Sequence, residues 1–466
     1  MTEQNSHHQA NAIYYQVLLL LGDILLLYLA LWGALALRYP SAIDWTLFLR
    51  HAQPFTVVYV IWLVLFYTNN FYNLTRVRDQ FNIYFDLTRT LLVGTVIGVL
   101  VFYLLPAYDL TPKRLLVLDA GIFGVALALW RTWFVAIFRQ VLPINRVAII
   151  GISPGSLELG REILARPDSG YQLAILVGDG EQTLTAPSLP VGVRLFNNPE
   201  EFITSIQTLN INTIIIADHL ANTNVLGDLF RLLPLQFKFS TTTSFYEELT
   251  SRVPVTQLTH GWFLSNLDET TKHTYELTKR FLDLIVSGFF LVVFAPILFL
   301  IGVLIKSDSH GPVFYRQTRL GQRGKVFWVW KLRTMVQNAE SAGPQWSQSG
   351  DPRITRIGRF LRKTRLDEIP QLINVVRGEM SLVGPRPERP EFIEKLAIEI
   401  PFYQTRHLIA PGMTGWAQVK FTYGASVEDA LAKLQYDIYY IKRRSFSLDI
   451  SIWIRTILIM LGLRGR

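Results

Sequence analysis

Long apolar stretches dominate the start of the chain, from Ile13 to Leu37, Phe55 to Tyr67, Leu87 to Leu105 and Leu115 to Ile137, with short polar segments between them. A membrane-crossing helix needs about 20 predominantly apolar residues, so residues 1–140 are predicted to form a transmembrane bundle of four helices. From Asn145 the texture changes to short apolar runs and amphipathic segments. RVAIIGISPGSLELGREILARP reads as a buried strand, a glycine-containing turn and a helix, and further strands are expected at Gln172–Val177 and Thr213–Ala217. This opening of a nucleotide-binding βαβ unit predicts a Rossmann-like α/β domain over 141–262, followed by a linker over 263–278. A fifth apolar segment, Phe281 to Ile305, has Pro296 near its middle. GPVFYRQTRLGQRGKVFWVWKLRTM then reads as a β-hairpin around Gly321–Gly324. The tail SLDISIWIRTILIMLGLRGR is short and charged for a span, and 450–466 is expected to lie as an amphipathic helix in the membrane interface.

Charge orients these segments. Arg76 and Arg78 lie between the second and third apolar stretches with Arg89 at the start of the third, and Arg139 and Arg146 follow the fourth, which puts those segments on the cytoplasmic side. Lys113 and Arg114 oppose this assignment. Around the fifth segment, Lys279 and Arg280 precede and Lys306, Arg316, Arg319, Arg323, Lys325, Lys331 and Arg333 follow. A spanning helix would put one cluster outside. A re-entrant membrane helix over 279–306, interrupted at Pro296, returns both to one face. Asp283 and Arg280 are placed to pair at its start.

Half of the residues are hydrophobic, and the mean hydropathy of +0.27 is that of a membrane protein with soluble parts. A formal charge of +9 fits anionic partners such as lipid headgroups and nucleotides. No nucleic-acid module is present, so nucleic acid is not expected as a partner. The absence of cysteine excludes disulfides, thiolate catalysis and zinc–thiolate sites. A cleaved signal peptide is not expected, because MTEQNSHHQANA carries no basic n-region. In the α/β domain, Ser153 and Ser156 stand where a dinucleotide fingerprint has its second and third glycines, so a redox cofactor is not expected there. Tyr275 and Lys279 form a Y-x-x-x-K pattern outside that domain and are read as coincidence.

The densest chemistry lies in DPRITRIGRFLRKTRLDEIPQLINVVRGEMSLVGPRPE. Arg353, Arg356, Arg359, Arg362, Lys363 and Arg365 precede the acidic pair Asp367 and Glu368. Pro370 belongs in the first turn of the helix through Leu372, Ile373 and Val376, which places Asp367 at or beside its N-cap. A carboxylate there is favoured in its ionised form, and the same helix end attracts phosphate. Arg-x-x-Arg on a helix is most often a solvated face and an N-cap Asp only a cap. Together, however, the residues point to phosphoryl chemistry with a carboxylate as nucleophile or metal ligand. Lys331 and Arg333 flank Leu332 and share one face of an extended strand.

TRLDEIPQLINVVRGEMSLVGPRPE resembles the signature of the bacterial sugar transferases, monotopic phosphoglycosyl transferases that act on polyprenol phosphate, and the resemblance runs from Lys279 to the C-terminus. It implies a small mixed α/β catalytic domain over 307–449 and, with the preceding parts, a membrane-integrated α/β protein of the long form. It further implies transfer of hexose-1-phosphate, glucose or galactose, from a UDP-sugar to undecaprenyl or other polyprenyl phosphate with release of UMP, starting exopolysaccharide or O-antigen repeat units. Asp367 would be the nucleophile of a covalent intermediate and, with Glu368, hold Mg2+. Lys331, Arg333 and Arg362 would offset phosphate charge, and Arg386 and Pro387 would serve the nucleotide. A homodimer in the bacterial inner membrane, with its catalytic domain on the cytoplasmic face and in contact with membrane lipids, is also implied. RHLIAPGMTGWAQV, from Arg406, continues the resemblance as a loop near the site; Lys420, Phe421 and Thr422 then stand where many relatives have Asn-Gly-Arg. Two other classes remain open: an NAD-dependent nucleotide-sugar dehydratase or epimerase using the α/β domain, and a non-catalytic organiser of polysaccharide assembly.

Overall fold

The computed structural model describes residues 2–41, 43–72, 74, 80–104, 113–138, 144–178, 193–196, 201–202, 206, 211–220, 225–230, 232, 234, 237–267, 272–337, 339, 351–421 and 426–460. Arg76, Arg78, Arg139, Thr422, Arg464 and Arg466 lie outside them. The chain divides into two compact units, Met1–Phe245 and Tyr246–Arg466. This division comes ahead of position 262, where the texture of the sequence placed the end of the α/β domain.

The first unit opens with helices α1 (Thr2–Arg38), α2 (Trp45–Thr68), α3 (Gln80–Leu104) and α4 (Lys113–Phe138). They share one core in which Phe55, Trp62, Phe66, Phe123 and Phe134 are buried, while Leu25, Val60, Val96 and Leu129 face outward. Apolar side chains on both the inner and the outer face are what a helix surrounded by lipid requires. Two polar pairs lie inside this core: Arg131 of α4 reaches Asp23 of α1 at 2.6 Å, and Tyr59 of α2 donates to Asp119 of α4 at 3.1 Å. Five helices among the described residues are long and apolar enough to cross a membrane, with spans Ile13–Arg38, Trp45–Thr68, Asp86–Tyr103, Arg114–Phe138 and His273–Asp308.

The same unit contains an α/β region. Strands β1 (Asn145–Ile150), β2 (Tyr171–Val177), β3 (Arg194–Phe196), β4 (Thr213–Ile216) and β5 (Lys238–Thr241) form a parallel sheet of order β3-β2-β1-β4-β5. Its central strands carry continuous buried apolar runs because both faces are covered. Helix α5 (Pro154–Leu164) follows β1, and its start is closed on itself. Ser153 accepts from the Ser156 N–H at 3.1 Å, and Ser156 Oγ accepts from the Ser153 N–H at 2.7 Å. The two serines at the fingerprint's glycine positions thus cap the helix end that a pyrophosphate would approach.

The second unit is built on helix α6 (His273–Asp308). Pro296, expected to interrupt it, lies inside the helix without ending it. A proline deletes one ladder bond and permits a bend while the helix continues. Asp283 and Arg280 do not pair with each other. Asp283 accepts from Ser381 Oγ at 2.7 Å, and Arg280 donates to the carbonyls of Val375 and Val376 in the last turn of a following helix. Tyr275 and Lys279 meet on one oxygen, Asp449 Oδ2, at 2.8 and 2.9 Å, as a buried structural contact.

After α6 come the antiparallel strands β6 (Phe314–Leu320) and β7 (Val326–Leu332), as the hairpin pattern predicts. Helices α7 (Arg356–Thr364) and α8 (Gln371–Arg377) follow, then the short parallel pair β8 (Ser381–Val383) and β9 (Gly412–Thr414). Helices α9 (Val427–Arg443) and α10 (Phe446–Met460) end the described chain. The tail helix starts ahead of position 450 and does not lie free: Ile452 is buried in the core with Val329, Val375 and Tyr440, and Asp449 takes the bonds from α6.

Candidate active site

The acidic pair sits where α7 turns into α8. Helix α7 ends at Arg365, a non-glycine residue in the left-handed region at φ 60°, and a single 3-10 turn, Leu366–Glu368, carries the chain to Pro370. The N-cap of α8 is Pro370, so Asp367 does not cap that helix. The reason is local: Pro370 takes the helical φ itself and the 3-10 turn precedes it, leaving Asp367 too far back in the chain to reach the first free N–H groups. Successive residues in a 3-10 turn diverge by about 120°, and the two carboxylates accordingly meet different surroundings.

Glu368 Oε1 accepts from Lys331 Nζ at 3.1 Å and from Arg386 at 2.8 Å. Despite burial, these cations hold its carboxyl well below the usual range, with Arg386 the larger influence. Asp367 is 8% exposed, and among the described residues no hydrogen bond reaches its carboxylate. Burial, and next the neighbouring Glu368, push its pKa up, with Lys331, Arg362 and Arg365 pulling against them. The ionised form expected from a helix start is therefore favoured here only by the nearby cations.

Three contacts fix this arrangement. Asn374 of α8, fully buried, accepts from the Trp330 N–H at 3.0 Å and donates to the Trp328 carbonyl at 2.7 Å, locking α8 to β7 so that Lys331 reaches Glu368. Gly358 packs α7 on the backbone beside β7: a Cβ there would stand 2.0 Å from the Thr334 carbonyl oxygen. That approach lets Arg362 Nε donate to Thr334 Oγ1 at 2.9 Å. At Gly412 a Cβ would stand 2.0 Å from the Gly384 nitrogen, so only glycine permits the β8–β9 crossing that presents Arg386.

Lys331, Arg362, Asp367, Glu368 and Arg386 come together, with Pro387 next to Arg386 in the same loop. Arg333 does not join them. Its guanidinium donates to the carbonyls of Ser309, at 2.8 Å, and His310, tying the end of α6 to the hairpin. β7 ends at Leu332, and the strand alternation that put Arg333 beside Lys331 ends there too. Sequence reasoning missed Asn374, whose only signal is a lone amide among the apolar positions of a short helix. It also missed the pairing of Arg406 with Asp437 at 2.8 Å behind Arg386. Burial raises the Asp437 carboxyl to about 6, with Arg406 pulling the other way.

The arrangement offers one buried carboxylate that accepts no hydrogen bond among the described residues beside a second that is neutralised by two cations. That is a setting for nucleophilic attack on an anionic phosphorus centre.

The sequence profile described as Bacterial sugar transferase matches residues 274–462. The UDP-N-acetylgalactosamine-undecaprenyl-phosphate N-acetylgalactosaminephosphotransferase of Aeromonas hydrophila is 42% identical over 221 residues, 47% of this chain and 52% of that protein. The match therefore spans about half the length of that relative. The UDP-glucose:undecaprenyl-phosphate glucose-1-phosphate transferase of Xanthomonas campestris pv. campestris is 32% identical over 346 residues, 69% of this chain and 68% of that protein. The protein of the same name from Escherichia coli (strain K12) is 38% identical over 229 residues, covering 48% of this chain and 47% of its own length.

Proposed function

This chain belongs to the bacterial sugar transferase family, and on that premise we propose that it transfers hexose-1-phosphate from a UDP-sugar to undecaprenyl or other polyprenyl phosphate. The observation that carries the reading is the contrast between the two carboxylates: Asp367 is buried and accepts no hydrogen bond among the described residues, while Glu368 is held by Lys331 and Arg386. An Asp367 oxygen attacks the sugar-bearing phosphorus. The new P–O bond forms as the bond to the bridging diphosphate oxygen breaks, and UMP leaves with that electron pair. A phosphate oxygen of the polyprenyl acceptor then attacks the same phosphorus and releases the Asp367 carboxylate. Lys331, Arg362 and Arg386 offset the charge that builds on the phosphoryl oxygens.

Asp367 and Glu368 offer hard oxygen donors that suit Mg2+, and among the described residues no group of three or more acidic or histidine ligands surrounds them. A magnesium ion there would complete its shell with diphosphate oxygens and water. When bound, it would supply further neutralisation of phosphate charge. The donor hexose is glucose, galactose or another hexose; the relatives' names give glucose and N-acetylgalactosamine.

The lipid acceptor requires the site to lie at the membrane. In our reading α1–α4 cross as a four-helix bundle in the bacterial inner membrane, α6 is re-entrant, and the catalytic domain faces the cytoplasm, in a homodimer. Support for the re-entrant helix comes from its burial pattern. Lys279, Asp283 and Ser287 at one end and Ile301, Gly302 and Ile305 at the other are buried, while Phe289, Val292, Val293 and Phe299 between them are exposed. The dehydratase alternative has less support, because the α5 start is spent on its own serine caps.

The test is mass spectrometry of protein mixed with UDP-hexose and magnesium without lipid acceptor. The expected result is a hexose-phosphate adduct on Asp367 with matching release of UMP, cleared when polyprenyl phosphate is added. An adduct on Glu368, or UMP release without any adduct, would overturn the assignment of the nucleophile.

A further inference from the structure

Behind the carboxylates lies a buried ion pair that the transfer reaction as described does not use. Arg406 and Asp437, the latter on α9, are 6% and 1% exposed. One Arg406 nitrogen, Nη2, donates both to Asp437 Oδ2 at 2.8 Å and to the main-chain carbonyl of Arg386 at 3.0 Å. The other, Nη1, donates to the Tyr403 hydroxyl at 2.8 Å. The Arg386 side chain in turn donates to Glu368 at 2.8 Å.

Arg386 is therefore held from both ends, its backbone by Arg406 and its guanidinium by Glu368. The segment around it has no regular secondary structure between β8 and the helix that begins at Pro390. Its neighbours on either side are fixed by main-chain bonds, Gly412 N–H to the Pro385 carbonyl at 2.8 Å and Leu320 N–H to the Glu388 carbonyl at 3.0 Å. Arg406 supplies the bond between them. Burying two charges is costly, and an apolar pair of similar volume would join α9 to the loop at no greater cost. An apolar pair could not offer a directional, charge-assisted donor to the Arg386 carbonyl. A lysine has a single nitrogen, whereas the acceptors here are divided between two, Tyr403 on Nη1 and Asp437 with that carbonyl on Nη2, as the planar guanidinium fork allows.

We propose that Arg406, oriented by Asp437, is a positioning residue that sets the Arg386–Glu368 contact, an inference that rests on the phosphoryl-transfer reading above. Arg406 touches no reacting atom; it acts through Arg386.

The experiment is a double-mutant cycle on kcat/KM for the UDP-sugar, combined with hydrogen exchange of the peptide covering 384–389 in the full chain. Arg406→Lys is expected to lower kcat/KM by about tenfold or more in the native background and by less than about twofold once Arg386→Gln has removed the group it positions. Tyr403→Phe, which leaves the Asp437 and Arg386 bonds in place, should stay within about threefold of the native chain. If Arg406→Lys does not yield folded protein, judged by gel filtration in detergent, Asp437→Asn replaces it, with a smaller loss and the same non-additivity expected. Losses that add in the double variant would mean general destabilisation and overturn the proposal. The exchange arm needs no substrate. Amides of 384–389 should exchange faster in Arg406→Lys and unchanged in Tyr403→Phe, and unchanged exchange in Arg406→Lys overturns the proposal. Should the native chain transfer nothing from any UDP-hexose, the catalytic reading fails while exchange still decides the Arg406 contact.

Discussion

Asp367 and Glu368 are neighbours in sequence and opposites in environment. Glu368 is neutralised by cations at 3.1 and 2.8 Å, and Asp367 is buried with its pKa raised. A carboxyl whose pKa is higher in the folded than in the unfolded state stabilises the fold fully only below its unfolded value. It loses that contribution as pH rises through the folded value. Asp367→Asn removes this titration. Thermal unfolding in detergent should therefore show a higher Tm for the variant near neutral pH, and the gain should vanish below about pH 3.8, the ordinary value for this group. Turnover of the same variant should fall by more than roughly 10³-fold, as for loss of other covalent nucleophiles. Glu368 behaves oppositely, since its lowered pKa adds stability above its ordinary value of 4.5 that is lost as pH falls. Glu368→Gln removes the anion that Lys331 and Arg386 share and should destabilise by up to about 3–5 kcal/mol, less as far as water and other partners reach those cations. A variant more stable than the native chain would contradict this account of Glu368.

At the scale of elements, α6 and α5 make separate predictions. The burial at both ends of α6 and the exposure of its middle lead us to expect residues before Arg280 and after Lys306 on one side of the membrane. Single cysteines at Ser265 and Ser309, in a chain with none of its own, should respond alike to an impermeant thiol reagent in intact cells and alike after permeabilisation. Labelling of one alone in intact cells would require a spanning helix. At α5 the reciprocal Ser153–Ser156 cap satisfies the N–H groups that a pyrophosphate would take. Purified protein is expected to show no nicotinamide absorbance and no dependence of transfer on added NAD. Stoichiometric NAD in the preparation would revive the dehydratase alternative.

At the scale of the whole molecule, every residue assigned to the transfer chemistry falls within the unit Tyr246–Arg466, and the family match of 274–462 lies inside it. The contacts that align the site, through Asn374, Gly358, Gly412 and the Asp449 hub, are internal to that unit as well. A fragment of 246–466 purified in detergent should therefore retain UDP-hexose-dependent transfer to polyprenyl phosphate. A folded but inactive fragment would show that residues 1–245 contribute to catalysis.

The long apolar runs, the Val- and Ile-rich strands and the hairpin around Gly321–Gly324 were legible directly in the sequence, because each follows from local periodicity and turn chemistry. The acidic pair and its cationic neighbours were legible as a cluster for the same reason. Which cations face which carboxylate was not. Strand alternation put Arg333 beside Lys331, but the ladder ends at Leu332 and Arg333 turns to the carbonyls after α6. Pro370 marked a helix start, yet a 3-10 turn intervenes and leaves Asp367 uncapped and buried. The partners that hold the elements carrying the two cations of Glu368, Asn374 for β7 and Arg406 for Arg386, are distant in sequence from what they hold. A pKa or a hydrogen bond depends on what surrounds a group in space, and chain neighbours alone do not specify that environment.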